Sequence, residues 1–172
     1  MNKELAILMN EQIQKEFYSA YLYLSMSVYL EKENLKGFAH WYRVQAQEER
    51  DHALIFMYYM QNVGEDIELL AIDKPDNDFA SVSDILERTL KHELFVTSLI
   101  HNMMSVAVDT KDFAAQSLLQ WFVDEQVEEE DNARNNIAQL KLSGMNFLFN
   151  MDQQMGTRVY APSAKITQMA AK

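Results

Sequence analysis

The chain has no cysteine among its 172 residues. That excludes disulfides, thiolate metal sites and iron–sulfur clusters held by this chain, so any metal must be held by carboxylate, imidazole or amide. Glycine (4) and proline (2) are nearly absent. Strand-rich folds use these residues at their many turns, so the shortage points to a few long helices with few connections. No long hydrophobic run occurs. The longest, Leu54 to Met60, is far too short to span a bilayer, and no membrane association is expected. Met1 to Gln12 shows no basic segment followed by an apolar one, so no signal peptide is expected and the location is read as cytoplasmic. Basic residues are also scarce: 15 Lys and Arg face 26 Asp and Glu, a net charge of -11. Such a chain repels nucleic acid and attracts cations, and the same acidity serves solubility.

What is present is a set of long periodic segments. Hydrophobic residues make up 48% of the chain, enough for one globular domain with a sizeable core. Helical spacing runs over roughly 4–33, 37–63, 81–109 and 112–142. Gly64 and Gly144 stand where the second and fourth segments should stop, and Ser81 with Asp84 resembles a capping box. A shorter amphipathic stretch, Asn146 to Gln154, predicts a fifth helix. Residues 1–156 are read as the helical domain and 157–172 as a flexible tail.

Linker lengths set the topology. The first and third connections are a few residues long, which makes two antiparallel hairpins. Between the hairpins lie about 17 residues, Gly64 to Ala80. Extended, such a segment reaches roughly 55–60 Å, against roughly 42 Å for a helix of about 28 residues. The loop can therefore cross the full length of the bundle. The fold class is all-α, a ferritin-like four-helix bundle with one long crossover and a short C-terminal fifth helix.

Each helix carries one apolar face, and each face is interrupted near its middle. The faces read Met9, Ile13, Glu16, Ala20, Tyr23; Tyr42, Gln45, Glu49, His52, Phe56; Leu86, Thr89, Glu93, Val96, Ile100; and Leu119, Phe122, Gln126, Glu129, Ala133. Burying one lone carboxylate costs several kcal/mol, and burying four is prohibitive unless something neutralises them. The faces offer no Lys or Arg for that task. Two divalent cations would balance four glutamates. Counted along each helix from its hairpin turn, Glu16, Glu49, His52, Glu93, Gln126 and Glu129 sit at roughly 21–28 Å, within one slab of the core. A simple up-and-down bundle would align them equally, so the crossover rests on loop length alone. Glutamate with one histidine suits iron in carboxylate-bridged pairs; zinc and manganese also accept these ligands.

Four runs in order carry a closer likeness: Asn10-Glu11-Gln12 through Tyr18-Ser19, Ala46 through His52 (AQEERDH), Lys91-His92-Glu93, and Trp121 through Glu130 (WFVDEQVEEE). Together they resemble the bacterial non-haem ferritins, over nearly the whole chain up to about Gly156. The resemblance implies a homo-oligomeric shell of 24 subunits that oxidises Fe(II) with dioxygen or hydrogen peroxide and stores Fe(III) as mineral. It implies a di-iron centre with one iron on Glu16, Glu49 and His52 and a second on Glu49, Glu93 and Glu129, with Glu49 bridging, Gln126 close by and Tyr23 beside it. It further implies a third iron position on Glu48, Glu125 and Glu128, sharing Glu129. Two departures from the haem-binding relatives matter. Arg50 stands where those carry a haem-ligating methionine, and Gln126-x-x-Glu129 stands where they carry Glu-x-x-His, so no haem is expected. Val127 occupies a position that is often histidine in relatives. A di-iron enzyme acting on an organic substrate and a purely structural bundle are the competing readings; the absence of cysteine rules out a rubredoxin-like tail.

Overall fold

The computed structural model describes residues 1–170, without the side chains of 143–147. The described residues form five helices and no strand: α1 (Lys3–Lys32), α2 (Lys36–Asn62), α3 (Val82–Asp109), α4 (Phe113–Met155) and α5 (Ala164–Ala170). The ends are set by local chemistry. The Asn2 side chain accepts from the amides of Glu4 and Leu5 at the start of α1. Ser81 accepts from Asp84 N at 3.1 Å, the forward half of the cap expected for α3, while Asp84 accepts from Ala80 N at 3.0 Å, one residue before the cap. Gly64 has φ +78°, and Glu65 N reaches back to Met60 O at 3.0 Å, closing α2 as the glycine predicts.

α1 packs chiefly against α2 and α3 chiefly against α4; the hairpins join through α1–α3 and α2–α4 contacts. The loop from Val63 to Ser81 climbs the side of α1. Its beginning is tied to the chain's start by the Met1 amino group and Glu65 (2.9 Å). Asn10 and Glu68 exchange two 2.9 Å hydrogen bonds. Further on, Ser25 Oγ lies 2.5 Å from Asp76 O and 2.9 Å from Asn77 Oδ1. From Asn10 to Ser25 the helix rises roughly 22 Å. The connection therefore crosses the bundle lengthwise, and α3 starts at the end where α1 finishes. Leu30, Phe38, Phe79 and Ile85 share one apolar cluster there, while Leu5, Tyr59, Ala107 and Ala115 share another at the opposite end.

The C-terminal third differs from the sequence reading. The expected stop at Gly144 falls among 143–147, whose side chains lie outside the described residues, and the helix bounds run on to Met155. The flanking stretches are nevertheless not collinear. Met151, Gln154 and Met155 line a cleft of about 220 Å³ together with Asn132, Asn135 and Asn136. On a straight helix, residues 132 and 151 would lie roughly 28 Å apart. The end of α4 is thus doubled back over the start of α2, which has no side-chain cap of its own. Asp152 Oδ1 supplies one, accepting from Phe38 N at 2.9 Å. A Cβ on Gly37 would stand 1.6 Å from the Asp152 carbonyl oxygen, so this crossing requires glycine. The predicted Asn146–Gln154 stretch is thus helical and turned back as a short helix after the bundle, and α5 is a further short helix beyond it, within the segment expected to be a loose tail. In its described part, that tail runs along α2 with Ile166 buried in the apolar cluster of Phe56.

Candidate metal centre

Between the two apolar clusters lies a slab of buried polar side chains. Glu16 (1%), Glu49 (2%), Glu93 (2%) and Glu129 (7%) are nearly inaccessible, as are His52, Gln45 and Gln126. One carboxylate comes from each of the four long helices, and α2 adds the imidazole. The i,i+3 spacing of Glu49 and His52 sets them on one face, and His52 Nδ1 lies 3.3 Å from Glu49 Oε2. Trp121 and Phe122 stand edge-on to the imidazole at 5.7 and 5.8 Å, closing it off on the α4 side.

Each carboxylate receives an amide. Gln12 donates to Glu16 at 2.8 Å. Gln45 donates to Glu129 at 2.7 Å and to Glu49 at 3.2 Å. Gln126 donates to Glu93 Oε2 at 3.3 Å. The Tyr23 hydroxyl also donates to Glu93, and its ring packs 5.7 Å from that of Tyr42. These neutral donors orient the acids without neutralising them. Glu16 Oε2 remains buried with no hydrogen-bond partner.

The electrostatics follow. Burial, then the neighbouring Glu49, pushes Glu16 up to about 8. Burial and Glu49 push Glu93 up to about 8 as well. Glu129 is driven well above the carboxylate range by burial, Glu93 and Glu49. Burial also works against ionised Glu49, yet His52, His92 and the Gln45 amide outweigh it, and this one acid stays below its ordinary value. His52 mirrors it: burial favours the neutral ring, but Glu49 and Glu125 hold the proton, well above the ordinary histidine value. The metal-free slab therefore carries one ion pair and three protonated acids.

Those three protons, together with the orphaned Glu16 oxygen, mark a donor set built for cations. One group among the described residues, Glu16, Glu49 and His52, already brings a ligand atom from each within 4.8 Å. Glu93 and Glu129 face the same slab from α3 and α4, and Glu129 shares the Gln45 amide with Glu49.

A ferritin-like domain model matches residues 7–143. The chain belongs to the ferritin family. Its relatives include the bacterial non-heme ferritin of Staphylococcus aureus (strain MRSA252), 35% identical over 93% of this chain and 98% of that protein. The bacterial non-heme ferritin of Campylobacter jejuni is 37% identical over 89% of this chain and 93% of that protein. Among solved structures, the open pore ferritin of the hyperthermophilic archaeon Archaeoglobus fulgidus superposes with a TM-score of 0.90 at 38% identity, covering 92% of this chain and 98% of that one. An engineered closed form of the same ferritin gives 0.91 at 37% identity, covering 94% and 99%.

Of the other residues singled out in this ferritin's sequence, Glu125 borders the slab and the rest fall outside it. Glu48 pairs with Arg158 rather than with other acids. Glu125 lies 3.8 Å from His52 Nε2, and Glu128 is exposed. Arg50 binds Asp51 (2.8 Å) on the outer side of α2. His92 bonds Ser19 Oγ at 2.7 Å, and His40 bonds the Arg158 carbonyl at 2.7 Å, so both serve the fold. Asp112 caps α4 through Ala115 N. Of the supporting amides, sequence reasoning named Gln126 but gave Gln12 and Gln45 no role. Gln12 and Gln45 each precede a site glutamate by four residues, a spacing that puts amide and acid on one face and could have identified them. Arg158 gave no such signal.

Proposed function

We propose that this ferritin stores iron: it oxidises Fe(II) at an intra-subunit di-iron centre and keeps the Fe(III) as mineral inside a hollow homo-oligomeric shell, with 24 subunits as in the resemblance noted from sequence. The observation that carries this reading is the buried slab of four glutamates with one histidine, which only bound cations make tolerable in ionised form. Iron is the substrate. Glu16 and His52 are the ligands of one ion, Glu93 and Glu129 of the other, with Glu49 between them. Gln126 and Tyr23 orient Glu93, and no haem is required.

The chain's own contribution is placement and charge. Two adjacent Fe(II) ions give one electron each, so dioxygen accepts two electrons and two protons to become hydrogen peroxide. Peroxide, as the alternative oxidant, accepts two electrons and two protons to become two waters. Pairing the ions avoids a one-electron radical product. The protons displaced from the acids by incoming cations leave through the same slab, and carboxylates release the Fe(III) product readily because they are exchangeable ligands. Nothing in this scheme needs a membrane or nucleic acid, and among the described residues no helix is long and apolar enough to cross a bilayer. A cytoplasmic location fits the reading.

The test is initial Fe(II) oxidation in Glu49→Ala and His52→Ala, with native mass measured in parallel. The expected loss is at least about a hundredfold with the assembly intact, in line with removing a metal ligand rather than a supporting residue. Unchanged initial rates in both variants would place the chemistry elsewhere.

A further inference from the structure

Arg158 lies in the segment after α4, 110 residues beyond Glu48, yet its side chain is only 17% exposed. Four contacts fix it. His40 holds its backbone carbonyl at 2.7 Å. The guanidinium carbon sits 4.0 Å over the Trp41 ring. One terminal nitrogen donates to Gln45 Oε1 at 2.7 Å, and the other pairs with Glu48 Oε2. Two residues later, the Tyr160 hydroxyl bonds Asp51, so the segment is pinned on both sides of the arginine.

The Gln45 contact matters because an amide has one accepting and one donating end. With Oε1 committed to the guanidinium, Nε2 is turned toward Glu129 and Glu49. The Glu48 contact matters because this acid is partly buried and close to Glu49 and Glu125. Burial pushes it up, and Arg158 first among its neighbours pulls it back. The guanidinium thus stands on the acid from which an additional cation position, beside the di-iron slab, would have to be built.

We propose that Arg158 is a tethered cation that occupies the Glu48 position in place of a metal ion, so that a third divalent ion binds only when the C-terminal segment leaves α2. The proposal rests on the di-cation reading of the slab. An arginine is suited to this task because it is charged at every working pH, and its planar fork serves an amide oxygen and a carboxylate at once. Being part of the chain, it is present at a high effective concentration against which a free ion must compete. In the resting subunit Arg158 is a positioning residue for Gln45, and in the displaced state it frees Glu48.

The experiment is a calorimetric titration of the metal-free, assembled protein with Zn(II), which binds without redox chemistry. Wild type is expected to take two ions tightly, R158Q to take a third, and R158Q/E48Q to return to two. If the segment is docked nine-tenths of the time or more, the third ion should bind about tenfold more tightly, or better, in R158Q than in wild type. Two ions in R158Q would overturn the proposal. Fewer than two in wild type would instead overturn the di-cation reading. Hydrogen exchange of residues 157–163 in wild type gives a second reading that does not depend on the variant folding. These amides should stay slow through two equivalents and exchange faster only as a third ion binds. If only two ions ever bind and the segment stays protected, the position is fully closed, as proposed. A third ion bound with the segment still protected refutes it.

Discussion

Cation binding should release protons in a number fixed by the buried slab. At pH 7 an acid held at about 8, as Glu16 and Glu93 are, is protonated in about nine subunits of ten. Glu129 and His52, both shifted well upward, hold protons as well. Ligand atoms must give up their protons to bind a metal, so filling the centre with two divalent ions should release nearly two protons per subunit from Glu16 and Glu93 alone, with those of Glu129 and His52 in addition. Proton release thus offsets much of the charge that the two ions bring in. At pH 9, Glu16 and Glu93 have already lost most of their protons, and the release should be smaller by roughly one and a half protons per subunit than at pH 7. The assay is Zn(II) titration of metal-free protein in buffers of different ionisation enthalpy, with the slope of apparent enthalpy giving protons released. Fewer than about one proton at pH 7 would mean that the acids are ionised without metal, and the argument from burial would fail.

The same shifts govern stability. Acids whose pKa is raised on folding stabilise the protein below the unfolded value and lose that contribution as pH rises through the folded one. The metal-free protein should therefore lose about 1.4 kcal/mol per pH unit for each of Glu16 and Glu93 between pH 6.5 and their folded value of about 8, and saturating Zn(II) should abolish the slope in thermal melts. Gln45→Leu should weaken binding of the tight pair of Zn(II) ions by about tenfold or more, read by calorimetry, because Glu49 and Glu129 lose a shared donor. Asp152→Ala should destabilise by about 1 kcal/mol in chemical denaturation, the value of a lost helix cap. Gly37→Ala should be worse, lowering the melting point by more than Asp152→Ala does, because the added methyl collides with backbone rather than with a movable side chain.

The helices and the slab were legible because both are periodic. Glu16, Glu49, Glu93 and Glu129 interrupt apolar faces at matched heights, and a period of three and four residues is a property of a single segment. The crossover was legible through a length, the 17 residues from Gly64 to Ala80. Relations between remote segments with no period were not legible. The doubled-back end of α4 depends on Gly37 meeting Asp152, and the placing of the tail depends on Arg158 finding Trp41, Gln45 and Glu48. Small residues and Pro162 made that tail read as loose, whereas it is held by side chains that lie more than a hundred positions earlier in the chain.

The division of the core into two greasy plugs with the acids sandwiched between them constrains traffic. Phe56 and Phe122, stacked at 4.2 Å, seal the slab on one side, and Tyr23, Tyr42 and Met26 seal it on the other. An ion cannot travel to the glutamates along the bundle axis without crossing hydrocarbon. On the proposed reading, ions reach and leave the slab sideways, between helices, rather than through its two plugged ends.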